Sequence, residues 1–290
     1  MHDTVMVPKK FSTFSLRTAN SRITALSALI ILLLVFTAIA APVIAPHDPV
    51  AVDLANKLKA PSLNYPFGTD HLGRCIFSRV IYGTRESLKV SLIVVSISAS
   101  IGILLGLVSG YFGGLTDELI MRAVDIMLAF PSIILALAII TALGPGLNNV
   151  ILALTLVHWT SYARLVRGEV LRIKEKEFVE SARAMGNSQL RIMFRYILPN
   201  VMAPVMVVST LDVAHVILSA SGLSFLGLGA QPPTPEWGAM VNDGREFIRT
   251  APHLTIFPGL AIMITSLAFN WLGDWLRDAL DPRLREGRIE

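Results

Sequence analysis

The stretch that decides the fold reads Glu180-Ser181-Ala182-Arg183-Ala184-Met185-Gly186, and a new apolar segment begins shortly after it, at Leu198-Pro199. Phe178, Ala182 and Met185 recur at helical spacing, which predicts a short amphipathic helix with an apolar face. Gly186 predicts the end of that helix, because glycine adopts the left-handed conformation at low cost. The stretch is therefore predicted to be a short, stiff helix set between two apolar segments.

The composition of the chain is typical of a membrane protein. Hydrophobic residues make up 53% of the 290 residues and charged residues 16%, against roughly 25% charged residues in soluble domains. Several uncharged runs exceed the ~20 residues that are needed to cross a bilayer. The net charge of +4 does not indicate nucleic-acid binding, because the basic residues lie in the gaps between apolar runs. Loops that face an anionic membrane leaflet have this pattern.

Six apolar segments are predicted to be transmembrane helices, so the predicted fold class is an all-α polytopic membrane protein. The predicted spans are residues 23–45, 90–112, 126–143, 147–163, 201–223 and 254–272. The predicted domains are an N-terminal segment 1–22, a first transmembrane helix 23–45, an outer loop 46–89, a core domain 90–272 that contains five transmembrane helices and the charged loop 164–196, and a C-terminal tail 273–290.

The distribution of basic residues predicts the orientation. With both termini in the cytoplasm, 17 of the 25 Lys and Arg residues fall on the cytoplasmic side, including those of the 164–196 loop. Cytoplasmic loops normally carry this excess. The basic stretch 74–89 lies on the outer side and is predicted to be an interfacial helix. The side chains that this helix is expected to turn toward lipid are Ile76, Phe77, Val80 and Ile81.

An alternative interpretation concerns the first span. Ala38-Ile39-Ala40 follows a basic and then apolar start, as a signal-peptide cleavage site does. Cleavage there would leave five spans with the same orientation downstream. The 22-residue leader is long for a signal peptide, and the apolar run is long enough to span. A retained helix is therefore the favoured interpretation.

The spacing of the opening stretch resembles the cytoplasmic coupling signature of ABC importer permeases. That signature reads Glu-Ala-Ala, three residues, Gly, nine residues, Ile-x-Leu-Pro. The matching positions here are Glu180, Ala182, Gly186, Leu198 and Pro199, whereas Ser181 replaces the first Ala and Tyr196 replaces the Ile. The resemblance implies that the helix contacts an ATPase, with coupling residues Phe178, Glu180, Ala182, Ala184, Met185 and Gly186.

Further blocks resemble the dipeptide, oligopeptide and nickel permease family, and specifically its C-type subunit. The blocks are Gly68–Arg74, Gly83–Leu88, Gly110–Gly114 with Asp117 and Asp125, Ser224–Gly229, Pro233–Gly238 and Leu276–Pro282. The resemblance implies a type I ABC importer permease fold in the cell inner membrane. It also implies four kinds of partner: a B-type permease subunit, two ATP-binding subunits, an extracytoplasmic solute-binding protein and membrane lipid.

The chain lacks the motif of an ATPase. A phosphate-binding loop needs Gly-x-x-x-x-Gly-Lys-Ser/Thr, and no lysine follows a glycine here. The chain is therefore not expected to be an enzyme or to bind a cofactor itself. ATP and Mg²⁺ are expected on the partner ATPase subunits. Two rival functions, a secondary transporter and an intramembrane protease, lack the internal repeat or the catalytic pattern that each requires.

Polar residues inside the apolar spans are the candidates for a substrate pathway. Asp212 and His215 are three residues apart in the fifth span and share a helix face, and His158 lies in the fourth span. A charge at that depth suggests a function, although Asp212 could instead pair with His215 or with the partner permease. No confident metal site is predicted, because a tight site needs three or four ligands.

The surroundings of these residues favour one substrate branch. His158-Trp159-x-x-Tyr162-Ala163-Arg164 and Thr210-Leu211-Asp212-x-x-His215 resemble the nickel branch more than the peptide branch. The expected cargo is therefore nickel or a metal chelate, with di- or oligopeptides as the alternative. Elsewhere, Cys75 is expected to be a small buried or interfacial residue. Trp237 is expected to anchor at the membrane interface or to contact the binding protein.

Overall fold

The protein is described by a computed structural model that covers residues 13–280, with side chains from residue 22 onward. This range is helical and contains no strand beyond an isolated bridge between Thr69 and Cys75. The helices are α1 (Thr13–Ile44), α2 (Ile76–Phe112), α3 (Gly114–Leu128), α4 (Ser132–Leu143), α5 (Leu147–Ile173), α6 (Glu177–Ala184), α7 (Gln189–Arg191), α8 (Leu198–Phe225), α9 (Trp237–Gly244) and α10 (His253–Leu280). The predictions made for residues 1–12 and 281–290 lie outside this range.

Four helical segments of the described range are long and apolar enough to cross a membrane. They are Arg22–Ile44, Ile76–Phe112, Gln189–Phe225 and His253–Leu280. α3 and α4 add a fifth span if the bent pair is counted as one. α5 is 27 residues long but less apolar, because its second half carries the start of the charged loop. The all-α membrane fold is confirmed, whereas the number of six spans stays a prediction.

The third predicted span is not a straight helix. α3 and α4 meet at an angle of 88°, and Pro131 stands at the break with the backbone angles φ −56° and ψ 127°. Proline has no N–H to donate, and its extended ψ directs the chain out of the first helix. The Pro131 carbonyl then accepts hydrogen bonds from the N–H groups of Ile134 and Leu135, each at 3.0 Å, which start α4.

The predicted interfacial helix at 74–89 is wrong. These residues form the first turns of α2, which runs without a break for 37 residues. Ile76 is 1% exposed and Ile81 6% exposed, so neither turns toward lipid as predicted, and Phe77 and Val80 are half-buried. Arg74 and Arg79 are buried too, because neighbouring parts of the folded chain neutralise them in place of lipid headgroups, whereas Arg85 and Lys89 are exposed.

Asp70 supplies that neutralising charge. Its Oδ2 lies 2.6 Å from Arg74 Nε and 3.8 Å from Arg79 Nε. The Arg79 guanidinium also donates to the carbonyls of Pro49 at 2.9 Å and Pro233 at 3.3 Å. The segments around Pro49 and Pro233, which are far apart in sequence, are thereby joined to the start of α2.

Trp237 is neither an interface anchor nor an exposed docking residue. It is fully buried, and its indole Nε1 donates to the Val80 carbonyl at 3.0 Å. Glu236, immediately before it, caps α9 by accepting from the N–H groups of Gly238 and Ala239 at 3.0 and 2.9 Å. Burial of this carboxyl raises its pKa above the ordinary value, against the opposing effect of these hydrogen bonds. Cys75 is buried as expected.

α2 and α5 pack closely against each other along a row of glycines. A Cβ added at Gly102 would lie 2.3 Å from Tyr162 Cβ, one at Gly106 would lie 2.8 Å from Val166 Cβ, and one at Gly110 would lie 2.8 Å from Val170 Cβ. Small residues at four-residue spacing let two membrane helices approach to this distance. The glycines fix the position of α5 against α2, and they therefore also fix the position of the polar side chains on α5.

Candidate functional site

The predicted short helix and its glycine stop are confirmed. α6 spans Glu177–Ala184, and Gly186 follows with φ +76°. The Gly186 N–H donates to the Arg183 carbonyl at 3.0 Å, and the Asn187 N–H donates to the Ala182 carbonyl at 3.3 Å. This pair of bonds is a Schellman motif, which ends a helix at a left-handed residue. The Asn187 side-chain amide adds a bond to Ala182 O at 2.9 Å.

The predicted apolar face of α6 is only partly correct. Ala182 is fully buried, but its buried neighbour is Val179, and both pack against Ile192 and Met193. Phe178 is 42% exposed and Met185 69% exposed, so they point away from the protein with Glu180 and Ala184. The helix therefore presents an outer face, defined as Phe178, Glu180, Ala184 and Met185.

A π-helical turn connects the α6 region to the next long helix. It spans Ile192–Ile197, and the Leu198 N–H donates to the Met193 carbonyl five residues earlier. Pro199 follows in the first turn of α8. A proline ring clashes with the carbonyl four residues before it in an α-helix, and the wider π turn relieves that clash. The chain from Gln189 to Phe225 is consequently one continuous helical span.

A cleft of about 390 Å³ lies where α3, α4, α5 and α8 meet, and it is called the central cleft below. It brings together all three predicted pathway residues. Its polar lining consists of Ser132, His158, Ser161, Asp212, His215 and Ser219, and its apolar lining of Leu128, Val157, Val208 and Leu211. A concave site with a few convergent polar groups on apolar walls is the usual form of a small-ligand site.

Asp212 pairs with α5 and not with His215. His158 Nδ1 lies 3.0 Å from Asp212 Oδ1 and 3.1 Å from Oδ2, and the Tyr162 hydroxyl donates to Oδ2 at 3.0 Å. His215 Nδ1 lies 3.3 Å from the Leu211 carbonyl of its own helix. The alternative of a pair between Asp212 and His215 is therefore wrong. Tyr162 was missed, although its position four residues after His158 places it on the same helix face.

Two ion pairs attach α3 to α5 beside the cleft. Asp117 accepts from Arg167 Nε at 2.7 Å and Arg167 Nη2 at 2.6 Å, and the Ser109 hydroxyl also donates to it. Arg164 Nη2 donates to Asp125 Oδ1 at 2.5 Å. A bidentate Arg–carboxylate pair has fixed geometry, so these contacts orient α3 and hence the bend that borders the central cleft.

No cluster of three or more His, Cys, Asp or Glu residues that could hold a metal ion occurs between residues 22 and 280. The central cleft contributes one carboxylate and two imidazoles, of which only His158 lies beside Asp212. Its chemistry is that of an acceptor-rich polar patch on an apolar wall.

Comparison with known proteins defines the class of this chain. Residues 102–286 match the model of the binding-protein-dependent transport system inner membrane component family, and residues 17–61 match the N-terminal TM domain of oligopeptide transport permease C. An inward-facing structure of the MetNI methionine ABC transporter is similar at a TM-score of 0.57 and 19% identity, over 71% of this chain and 98% of that one. An amino acid ABC transporter structure is similar at a TM-score of 0.55 and 14% identity, over 70% and 95%. These two likenesses show the type I importer permease fold.

The chain belongs to the binding-protein-dependent transport system inner membrane component family, as an ABC transporter permease of its dipeptide and oligopeptide group. It is 45% identical to the dipeptide transport system permease protein of Alkalihalophilus pseudofirmus, over 92% of this chain and 88% of the relative. It is 48% identical to the glutathione transport system permease protein of Escherichia coli, over 89% and 86%.

The chain is thus a multi-pass inner-membrane permease subunit of an ABC importer and not itself an enzyme. The two rival classes, a secondary transporter and a membrane enzyme, are set aside by this membership. The preference for the nickel branch is not supported, because the relatives are named for a dipeptide and for glutathione. The predicted alternative of a peptide permease agrees with the relatives better.

Proposed function

We propose that this permease carries short peptides, including modified ones such as glutathione, into the cytoplasm. The observation that carries the proposal is the 45–48% identity, over about nine-tenths of the chain, to relatives that are named for a dipeptide and for glutathione. The central cleft is compatible with such cargo, because a peptide is zwitterionic and the cleft offers both a carboxylate and imidazole and hydroxyl groups.

The proposed assembly and topology follow the family pattern. The chain pairs with a B-type permease, two ATP-binding subunits hydrolyse ATP with Mg²⁺, and a solute-binding protein delivers the peptide from outside. Six spans place both termini in the cytoplasm, with the core permease domain at 90–272. The excess of basic residues on the cytoplasmic side supports this orientation.

The outer face of α6 is proposed to contact an ATP-binding subunit. Val179 and Ala182 anchor the helix to the membrane domain, which leaves Phe178 and Met185 exposed. The Schellman motif at Gly186 and the two bonds to Ala182 O make the end of the helix stiff. A stiff helix with one anchored face transmits a movement of its partner to α8 and does not absorb it.

The central cleft is proposed to be this subunit's half of the translocation path, with Asp212 as the residue that meets the peptide ammonium group. Asp212 keeps acceptor capacity, because an ionised carboxylate has about four lone-pair sites and His158 and Tyr162 occupy only part of them. His215 and His158 complete the proposed pathway set. The two α5 partners hold the carboxylate in one orientation.

The experiment is uptake in cells that lack the gene and in the same cells with the gene restored. Labelled dipeptide, labelled glutathione and radioactive nickel are compared at equal concentration. We expect the restored gene to raise uptake of the dipeptide, of glutathione or of both, and to leave nickel uptake unchanged. Nickel uptake that depends on the gene, with no change for either peptide, would overturn the proposal.

A further inference from the structure

A second cleft, of about 420 Å³, opens between α5, α8 and α10, and it is called the inner cleft below. Its apolar wall comes from Ala203, Pro204, Val207, Val208 and Leu280, and its charged side chains are Glu169, Arg172 and Arg277. None of these residues belongs to the coupling helix or to the predicted pathway set.

The inner cleft continues the central cleft along the same two helices. Val208 lines both clefts. On α8 the lining positions 204, 208, 212, 215 and 219 follow the three- and four-residue spacing of one helix face. On α5 the positions 158, 161, 169 and 172 also fall on one face, in two pairs that are eight residues apart. At 1.5 Å per residue, each stripe is roughly 21 Å long.

The charges change sign along this stripe. The central cleft contains the Asp212 carboxylate, whereas the inner cleft contains two guanidinium groups and one carboxylate. Glu169 Oε2 accepts from Arg172 Nε at 3.0 Å and from Arg172 Nη2, so these two charges neutralise each other. Arg277 is exposed and forms no ion pair with any residue in the described range. The lining side chains therefore carry one excess positive charge.

We infer that the inner cleft is the cytoplasmic end of the translocation path and that Arg277, beside Arg172, receives the C-terminal carboxylate of a peptide that leaves the central cleft. The inference rests on the proposed peptide function. A zwitterion that moves inward exchanges an ammonium contact at Asp212 for a carboxylate contact at Arg277. The excess positive charge of the inner cleft attracts the peptide carboxylate and repels the ammonium group. This difference favours release of the peptide over its return to the central cleft.

A single cysteine makes this inference testable without measuring transport. Cys75 is the one cysteine of the chain and can be changed to serine, with normal uptake as the check on the background. Ala203→Cys then places a thiol in the inner cleft. Leu32→Cys on α1, which is 66% exposed on an apolar helix, is the membrane-facing control. Inside-out vesicles that contain the whole transporter are labelled with an anionic and a cationic methanethiosulfonate of similar size.

We expect Ala203→Cys to react with both water-soluble reagents and Leu32→Cys with neither. Adding Arg277→Gln should lower the ratio of anionic to cationic labelling rates by about two- to fivefold, the effect of one charge at short range in a partly hydrated cleft. A dipeptide with a free carboxylate should slow the labelling more than its C-terminal amide does. Arg277→Lys should retain the ratio of the Ala203→Cys parent.

Three results would overturn the inference. One is labelling of Ala203→Cys by a lipid-soluble maleimide alone, which would indicate a lipid-filled groove. The second is a ratio of anionic to cationic labelling rates that Arg277→Gln leaves unchanged. The third is an equal slowing of the labelling by the free dipeptide and by its C-terminal amide. The ratio of labelling rates does not depend on which cargo is carried into cells, whereas the protection by the dipeptide does. A failure of peptide uptake with the labelling ratio as expected would overturn the proposed substrate and leave the water-filled exit in place.

Discussion

The Asp212 carboxylate of α8 and the His158 imidazole of α5 lie 3.0 Å apart, across the contact between two helices that are distant in sequence. The pair sits in the wall of the central cleft, with each side chain about one-seventh exposed. A carboxylate that is held from one side and open on the other is suited to binding a cation transiently. The pair therefore links the packing of the membrane domain to the proposed path.

Asp212→Asn should lower peptide uptake while the transporter still assembles. The change removes the charge that orients His158 and meets the ammonium group, and loss of a charged hydrogen bond of about 1.5–3 kcal/mol corresponds to about a ten- to hundredfold loss. Tyr162→Phe should give a smaller loss, because it removes one donor and keeps the ring. Thr210→Val is the control, since the Thr210 hydroxyl donates to the Met206 carbonyl of its own helix. Normal uptake by Asp212→Asn would leave Asp212 with a packing role alone.

Glu180→Lys should abolish uptake and leave the protein in the membrane with its permease partner. The substitution reverses a charge on the outer face of α6 without touching the buried face of Val179 and Ala182. Glu175→Lys is the matched control, because Glu175 is also exposed and lies two residues before α6. The measurement is co-purification of the ATP-binding subunits together with uptake. Loss of uptake and of co-purification in both variants would indicate an effect of the total charge of the loop and not of the outer face.

Gly106→Ala should destabilise the membrane domain, whereas Gly168→Ala should stabilise it. A Cβ at Gly106 would lie 2.5 Å from the Ala163 carbonyl oxygen and 2.8 Å from Val166 Cβ, but one at Gly168 would meet no described residue within 4 Å beyond its own stretch of helix. Overpacking costs about 1–3 kcal/mol, and replacing glycine by alanine in an open helix position gains about 1 kcal/mol. Thermal unfolding of the purified transporter in detergent measures both. Equal shifts of the unfolding temperature in the two variants would mean that α2 and α5 separate to admit the methyl group at position 106.

Glu236→Gln should change the pH dependence of stability. Burial raises the pKa of Glu236 in the folded protein above its ordinary value of 4.5. Above pH 4.5 the unfolded chain releases a proton that the folded protein retains, so the stability of the parent falls as pH rises toward the folded pKa. The unfolding temperature of Glu236→Gln, compared with the parent, should therefore rise with pH through that window. Glu246→Gln, at an exposed position, is the control for the change of residue type. A flat difference for Glu236→Gln would contradict the raised pKa.

Much of the helical fold is predictable from this sequence, because long uncharged runs and the positions of Gly and Pro act locally. The start of α8 near Pro199 and the stop at Gly186 follow from backbone chemistry within a few residues. The bend at Pro131 was missed because the flanking runs are apolar on both sides, and hydropathy does not distinguish a straight helix from a broken one.

The remaining errors came from contacts between distant residues. Arg74 and Arg79 looked like residues of a membrane interface, because no local pattern reveals that Asp70 and two proline carbonyls surround them. Trp237 was misjudged for the same reason, since its partner, Val80, is 157 residues away. The central cleft was half predictable: helix spacing groups the residues of one helix, but the pairing of Asp212 with His158 and Tyr162 depends on how α5 packs on α8.

The burial of Arg74 and Arg79 against Asp70 has a consequence for how this part of the fold responds to salt. Ions in the medium screen exposed charges over about 10 Å at 0.1 M salt, but they reach buried pairs much less. Both arginines are at most 3% exposed, so the ion pairs that join neighbouring segments to the start of α2 are shielded from the surrounding electrolyte. This part of the permease should keep one shape in dilute and in saline surroundings alike.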